Sequence, residues 1–171
     1  MKFYKLNLTL TFFSFIFMLI SCKELKSNSS VIDKIPKPIG FINDFEKIFT
    51  PEETRSLDSL STAIEKESTI QIAVITLDSS LILYNNFDSA ILLIANKWGV
   101  GQKETNNGIF IGISKSMRKI RVCNGYGIEK TVSNELTREI IDKVVIPYFK
   151  MGDYFSGTKN GITALYAATK P

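Results

Sequence analysis

Histidine is absent from this chain of 171 residues. The absence excludes hydrolases that use a Ser-His-Asp triad, phosphohistidine chemistry, and zinc sites of the His-Glu-x-x-His type. It also removes the side chain that most often serves as a general acid or base near neutral pH. Any chemistry must therefore be carried by carboxylates, amides, arginines and a hard cation.

Cysteine is nearly absent too, since the chain has only Cys22 and Cys123. Cysteine phosphatase chemistry requires an arginine six positions after the nucleophile, and Glu129 occupies that position after Cys123. Cys123 lies in an apolar run, so we predict a small buried hydrophobe rather than a nucleophile. The sequence also lacks a glycine-rich phosphate loop with its lysine and hydroxyl residue.

Strong charge of one sign is also missing, because 21 Lys and Arg face 17 Asp and Glu. The first 22 residues hold two lysines and no acid, so the remaining chain is closer to neutral. No long basic run occurs. The composition therefore gives no electrostatic footprint for nucleic acid, and we predict no nucleic-acid partner.

The first 22 residues have the pattern of an export signal. Lys2 and Lys5 form a basic start, an apolar stretch covers 6–20, and Leu19-Ile20-Ser21-Cys22 is typical of a bacterial lipoprotein cleavage site. The apolar stretch is short for a bilayer span of about 20 residues. We therefore predict lipidation at Cys22, with an uncleaved membrane anchor as the alternative.

Residues 23–39 are polar and read as a flexible tether between the anchor and the domain. Lys23 follows the predicted lipidated cysteine, where an aspartate would resemble an inner-membrane retention signal. We therefore predict a cell-envelope protein anchored to a membrane through lipidated Cys22, with the outer membrane favoured. Residues 40–171 form the predicted domain.

Helix and strand signals alternate along that domain. A capping box at Thr50 starts a helix, and residues 69–77 form a continuous apolar strand. A second helix runs from Phe87 and ends at Gly99, and a hairpin joins strands over 108–114 and 118–124. A third helix starts at Ser133 and continues through Ile146, where Pro147 is expected to stop it, and Asp153 caps a fourth.

This alternation predicts a single α/β domain, an αβα sandwich with a central mixed sheet and helices on both faces. Several short motifs then occur in a fixed order: Pro38-x-Gly40-x-Ile42-Asn43-Asp44-Phe45, Gln71-Ile72-Ala73-Val74, Trp98-Gly99-x-Gly101, Asn106-Asn107-Gly108, Arg118-Lys119-Ile120-Arg121, Gly125-Tyr126-Gly127-Ile128-Glu129, Pro147-Tyr148-Phe149 and Gly152-Asp153-Tyr154.

Together, over roughly residues 34–168, these motifs resemble the TPM-domain family. Its namesakes are a thylakoid-lumen protein, a photosystem II repair protein and an animal receptor modulator, and the domain is often described as phosphatase-like. The resemblance implies the αβα sandwich and, with the lipoprotein signal, a bacterial lipoprotein member. The family usually has Asp where this chain has Asn106, so one expected carboxylate is a neutral amide.

Polar residues at predicted strand ends are the candidate metal ligands: Asp44, Asn106, Asn107 and Glu129. Carboxylate and amide oxygens suit calcium, which takes six to eight oxygen ligands in flexible geometry, and magnesium is the alternative. Glu104 lies close enough in sequence to compensate in charge for Asn106. The simpler interpretation is that Asp44 and the two asparagines are turn residues and that Glu129 is a surface carboxylate.

Arg118, Arg121 and Asp153 are additional candidates. The arginines could bind a phosphate or a partner's carboxylate, although strand alternation places them on opposite faces, so at most one serves a given site. Asp153 is explained by its position as a helix cap.

Three functions remain open from the sequence. The first is an exported, lipid-anchored domain that binds a divalent cation, with a role in assembling or maintaining envelope proteins. The second is a metal-assisted phosphomonoester hydrolase, which the neutral residue at 106 and the lack of histidine disfavour. The third is a metal-free adaptor for a membrane complex.

Overall fold

The computed structural model describes residues 37–81 and 86–170. The predicted signal and Cys22 lie outside the described residues, as does nearly all of the tether. Within those two ranges no helix combines the length and the apolar character that a membrane span requires.

The described part of the chain forms one four-stranded sheet and its flanking helices. The strands are β1 (Ile42–Asp44), β2 (Gln71–Thr76), β3 (Gly108–Ser114) and β4 (Lys119–Asn124). The long helices are α1 (Pro51–Ser68), α2 (Phe87–Trp98) and α5 (Tyr154–Ala168), with two shorter helices, α3 (Asn134–Ile140) and α4 (Ile146–Lys150), before α5. A short 3-10 turn covers Ser79–Leu81.

Sheet order follows chain order, β1-β2-β3-β4. β1, β2 and β3 run parallel, and β4 returns antiparallel to β3 through the predicted hairpin. Parallel neighbours require crossover connections, which α1 and α2 provide. The mixed sheet predicted from the sequence is thus confirmed, and β1 is a strand that the sequence analysis did not identify.

Helices cover both faces of the sheet, as predicted. On one face the buried side chains of α1 and α5 join the apolar residues of β2 and β3, among them Leu57, Ile72, Ile111 and Leu165. On the other face α2 approaches so closely that a Cβ on Gly112 would clash with the Ile91 side chain. Trp98 closes that layer with an edge-on contact to Phe110, at 5.6 Å between ring centroids.

The helix starts follow the sequence signals. Thr50 makes both hydrogen bonds of a capping box with Glu53, and Ser133 and Asp153 accept backbone N–H groups at the starts of α3 and α5. The prediction that Pro147 ends the third helix is wrong. Helical structure continues through a π-helical turn over Ile141–Val145 into α4, and Pro147 lies in the first turn of α4.

Candidate functional site

The sheet has two ends, and the candidate residues divide between them. The amino end, where β2 and β3 begin, carries the loops that hold Asn106, Asn107 and Gly127. The carboxyl end, where β1, β2 and β3 finish, carries Asp44 and the β3–β4 hairpin.

Asn107 joins three segments at the amino end. Its Nδ2 donates to the Thr69 carbonyl at 2.8 Å and to Thr69 Oγ1 at 3.1 Å, while its Oδ1 accepts the Gln102 N–H at 2.8 Å. The side chain is buried, with 8% of the residue exposed. Buried polar groups that are fully bonded in this way stabilise one arrangement of the loops, so Asn107 has a complete structural role.

Asn106 differs from its neighbour because it is exposed and adopts a left-handed backbone, with φ of 48°. Asparagine and aspartate both tolerate this conformation, so the change from the family's usual Asp alters charge and leaves the backbone requirement satisfied. The Asn106 carbonyl accepts the Gly127 N–H at 3.0 Å.

The loop over 125–129 packs directly on the loop over 105–107. A Cβ on Gly127 would clash with the Thr105 carbonyl oxygen, so only glycine permits this approach. Glu129 lies in one of these joined loops and Glu104 directly precedes the other, and both residues are exposed. Two of the predicted ligands, Asn106 and Glu129, and the additional candidate Glu104 therefore belong to one loop cluster.

Asp44 holds the carboxyl end together. Its Oδ2 accepts the Phe49 N–H at 2.8 Å, and its Oδ1 accepts the Ile48 N–H at 3.1 Å and the Thr76 hydroxyl. These three donors fix the loop that leads into α1. Asp44 is half-buried, and its carboxylate replaces backbone partners that the loop would otherwise lack.

Glu46 extends this network and was missed by the sequence analysis. Its N–H donates to Thr76 Oγ1 at 2.9 Å, and its carboxylate accepts the N–H groups of Lys115 and Ser116, each at 2.7 Å. The carboxylate thus clamps the β3–β4 hairpin. The sequence contains no local signal that links position 46 to a turn so far along the chain.

The structure does not bring Asp44 to the other predicted ligands. Asp44 pairs with Thr76, which pairs with Ile113, whereas Asn107 precedes the first residue of β3. Ile113 and Asn107 are six residues apart, so at about 3.3 Å per residue Asp44 and Asn107 are separated by roughly 20 Å along the strands. Within the described ranges no three His, Cys, Asp or Glu residues cluster in a way that could hold a metal ion. Calcium or magnesium binding stays a prediction.

The Arg118 and Arg121 side chains lie in different parts of the structure. Arg121 faces α2, where its NH1 lies 3.7 Å from Asp88 Oδ1. Its Nε–H donates to Cys123 Sγ at 3.3 Å, and this hydrogen bond raises the pKa of Arg121. Cys123 is half-buried.

Arg118 instead lines a cavity of about 620 Å³ beside the hairpin. The cationic residues of the lining are Lys115, Arg118, Lys119 and Lys150. Asp153 lies between Gly152 and Tyr154, two residues that line this cavity. Its side chain is occupied as the cap of α5. The Ser156 N–H donates to its Oδ1 at 2.9 Å, and this bond lowers the pKa of Asp153.

The profile of the TPM domain matches residues 42–168. The chain belongs to the TPM-domain family. The match covers every strand and long helix of the described part of the chain. No curated protein matches the chain.

Solved structures support the family's fold. The N-terminal domain of a protein from P. gingivalis is 27% identical, with a TM-score of 0.67, over 75% of this chain and 80% of that chain. A protein from the psychrophilic bacterium Bizionia argentinensis is 19% identical, with a TM-score of 0.61, over 73% of this chain and 83% of that one.

A third similar structure is the N-terminal domain of a Corynebacterium glutamicum protein. It is 9% identical, with a TM-score of 0.60, over 80% of this chain and 85% of that chain. At this identity the likeness concerns the fold alone, so the sandwich is retained where almost all side chains differ.

Proposed function

We propose that this TPM domain acts as a binding module of the bacterial cell envelope, anchored through Cys22, rather than as a hydrolase. The observation that supports this is the state of Asp44. Both of its carboxylate oxygens accept hydrogen bonds from the Ile48 and Phe49 N–H groups and the Thr76 hydroxyl. A carboxylate used in this way is part of the fold.

A metal-assisted phosphatase needs carboxylates that turn toward a cation or a water. Turning the Asp44 carboxylate away from the Ile48 and Phe49 N–H groups would cost about 1–3 kcal/mol for each buried group left without a partner. Asn107 faces the same penalty because its amide joins Thr69 to Gln102. These residues therefore favour a fold-building role, and the surface is left to carry the function.

Metal-dependent turnover of an aryl phosphate tests this proposal. We expect the mature domain to hydrolyse the aryl phosphate no faster than the matched Asp44→Asn protein, in the presence of either calcium or magnesium. Metal-dependent turnover that disappears in a folded Asp44→Asn protein would refute it, since Asp44 would then act in chemistry as well as in the fold.

Anchoring is tested separately. The Leu19-Ile20-Ser21-Cys22 pattern supports lipidation, and Lys23 favours the outer membrane. Cys22→Ser should release the protein from membranes or leave an uncleaved precursor, visible by fractionation and mass spectrometry. Unchanged mass and fractionation would exclude a lipidated Cys22.

A second candidate function is divalent-cation binding by the loop cluster of Glu104, Asn106 and Glu129. The Gly127 N–H bond to the Asn106 carbonyl favours it, because this bond holds the two loops together. The proposed site is smaller than the sequence predicted, since Asp44 lies at the far end of the sheet and the Asn107 amide is occupied.

Calcium titration of three variants tests the reduced site. Asn106→Asp adds one charged ligand and should tighten binding, and Glu129→Gln should weaken it, because affinity rises with the number of charged ligands. Asp44→Asn is the matched control and should leave the calcium Kd unchanged. A weaker Kd in Asp44→Asn alone would place the ion at the carboxyl end.

A further inference from the structure

The cavity beside the β3–β4 hairpin has no role in the fold or in either candidate site. We infer that this basic pocket binds an acidic segment of a protein partner, one in which several carboxylates accompany an apolar side chain. The inference rests on the proposed binding function and names the class of partner.

The charges of the pocket come from two separate elements. Lys115, Arg118 and Lys119 project from the hairpin, and Lys150 ends α4. None of these four forms an ion pair with another residue of 37–81 or 86–170. Four cations without an internal ion pair favour a ligand whose negative charges are spread over several positions.

Two neighbouring carboxylates offset part of the charge of the pocket. Glu46 accepts the Lys115 and Ser116 N–H groups, and Asp153 accepts the Ser156 N–H. Both acids keep their negative charge, so two carboxylates stand against the four cations of the lining. The excess of positive charge is available to a partner, and it would also steer an acidic one toward the pocket.

Apolar side chains share the lining of the pocket with these cations. They belong to Ile120, Ile146, Phe149 and Tyr154. The Phe149 and Tyr154 rings pack with centroids 4.6 Å apart, and Lys115 Nζ lies 5.6 Å from the Tyr154 ring centroid. Pockets with this mixture favour a ligand with an apolar body and charged ends.

The hairpin backbone argues for carboxylates over a single phosphate. Phosphate sites usually converge backbone N–H groups on one point. Here the two hairpin N–H groups of Lys115 and Ser116 already bind the Glu46 carboxylate at 2.7 Å each. What remains is a set of cations from two elements together with apolar side chains, which suits a peptide with distributed carboxylates.

Fluorescence anisotropy with a dye-labelled peptide of alternating glutamate and phenylalanine tests the pocket. The test protein combines Arg118→Gly with Lys150→Gln, which removes one cation from each element. Its matched control combines Lys47→Gly with Lys103→Gln. Arg118 and Lys47 both have positive φ, of 52° and 54°, so glycine fits the backbone at each position and the net charge changes equally.

We expect the test protein to bind the peptide about tenfold more weakly at low salt, and the control to bind like the wild type. Raising the salt should weaken wild-type binding because the charges are screened. Absence of wild-type binding, or an equal loss in test and control proteins, would overturn the inference.

Two competitors distinguish other anions. Inorganic phosphate should displace the peptide no better than chloride does at equal ionic strength. In a second experiment, the domain without its lipid anchor is mixed with vesicles that contain phosphatidylglycerol. We expect no vesicle binding that depends on Arg118 and Lys150. Preferential displacement by phosphate, or vesicle binding lost in the test protein, would overturn the assignment to a peptide. A negative result in the peptide-binding experiment would leave the result of the aryl-phosphate experiment unchanged, so the two proposals can fail independently.

Discussion

The two ends of the sheet are closed by different chemistry. At the amino end, the Asn107 amide and the close approach that Gly127 permits join loops through backbone carbonyl and N–H groups. At the carboxyl end, the Asp44 and Glu46 carboxylates accept backbone N–H groups. The amino end therefore depends on shape, while the carboxyl end depends on charged acceptors.

This difference changes how the family motifs are interpreted. Asn106-Asn107-Gly108 and Gly125-Tyr126-Gly127 are distant in sequence but meet in one joint, and Asp44 builds the opposite end. Residues that carry the resemblance to TPM domains thus include the ones that hold the sandwich together. The cations of the basic pocket form no ion pair with another residue of 37–81 or 86–170, so we expect that their side chains can be replaced without changing the fold.

The largest effect should come from Gly127→Ala at the amino end. Its new Cβ would clash with the Thr105 carbonyl oxygen, which is backbone and cannot move without shifting the loop. We expect a loss of about 3 kcal/mol in the free energy of unfolding, measured with urea.

The control is Gly152→Ala, beside the basic pocket. Gly152 has φ of 83° and no atom within 4 Å of an added Cβ, so only backbone strain applies. A loss of about 1 kcal/mol is expected. An equal loss of unfolding free energy in the two proteins would show that the loops over 105–107 and 125–129 are not closely packed against each other.

Asp44→Asn tests the carboxyl end. The introduced NH₂ group would face a backbone N–H or the Thr76 hydroxyl, and the charge-assisted bonds would be lost. We expect destabilisation by about 2 kcal/mol in urea unfolding. A loss below that of Gly152→Ala would mean that the loop before α1 does not depend on this carboxylate.

Local signals in the sequence predicted the elements well, since capping residues and apolar periodicity act within a few positions. Thr50, Ser133 and Asp153 begin helices as predicted, and the hairpin lies where expected. Pro147 was misinterpreted because a proline that ends one helix is equally suited to the first turn of another.

The site was predicted less well because strand order and direction are not local properties. Asp44 ends β1, and parallel pairing carries it to the end opposite Asn107. Because β1 was not predicted from the sequence, the end of the sheet at which Asp44 lies could not be predicted either. The pocket depends on Lys150, which reaches the hairpin only through the packing of α4.

Arg118→Gly should have a smaller effect, and one of opposite sign. Arg118 has φ of 52°, and glycine adopts this conformation without the backbone strain of a residue with a side chain. Glycine also increases the entropy of the unfolded chain, which offsets part of this gain in stability. We expect stabilisation by about 0.5 kcal/mol in urea unfolding. Destabilisation would show that the Arg118 side chain supports the hairpin rather than being available to a partner.

The smallest effect concerns Asp153, and it depends on pH. The Ser156 N–H bond lowers the pKa of Asp153 in the folded protein, so its stabilising contribution is present above the unfolded carboxyl pKa of about 3.9 and is lost as pH falls through the folded pKa. In the Asp153→Asn protein an amide oxygen would form the same cap without titrating, and asparagine is an equally good cap residue.

We therefore expect Asp153→Asn to be slightly less stable than the wild type at neutral pH, because it lacks the negative charge at the start of α5. As pH falls, the two thermal stabilities should converge, since every other acid titrates in both proteins. The measurement is Tm by circular dichroism across that range. Curves that stay parallel would mean that the Ser156 bond does not distinguish the charged carboxylate from an amide, and the cap would then act through geometry alone.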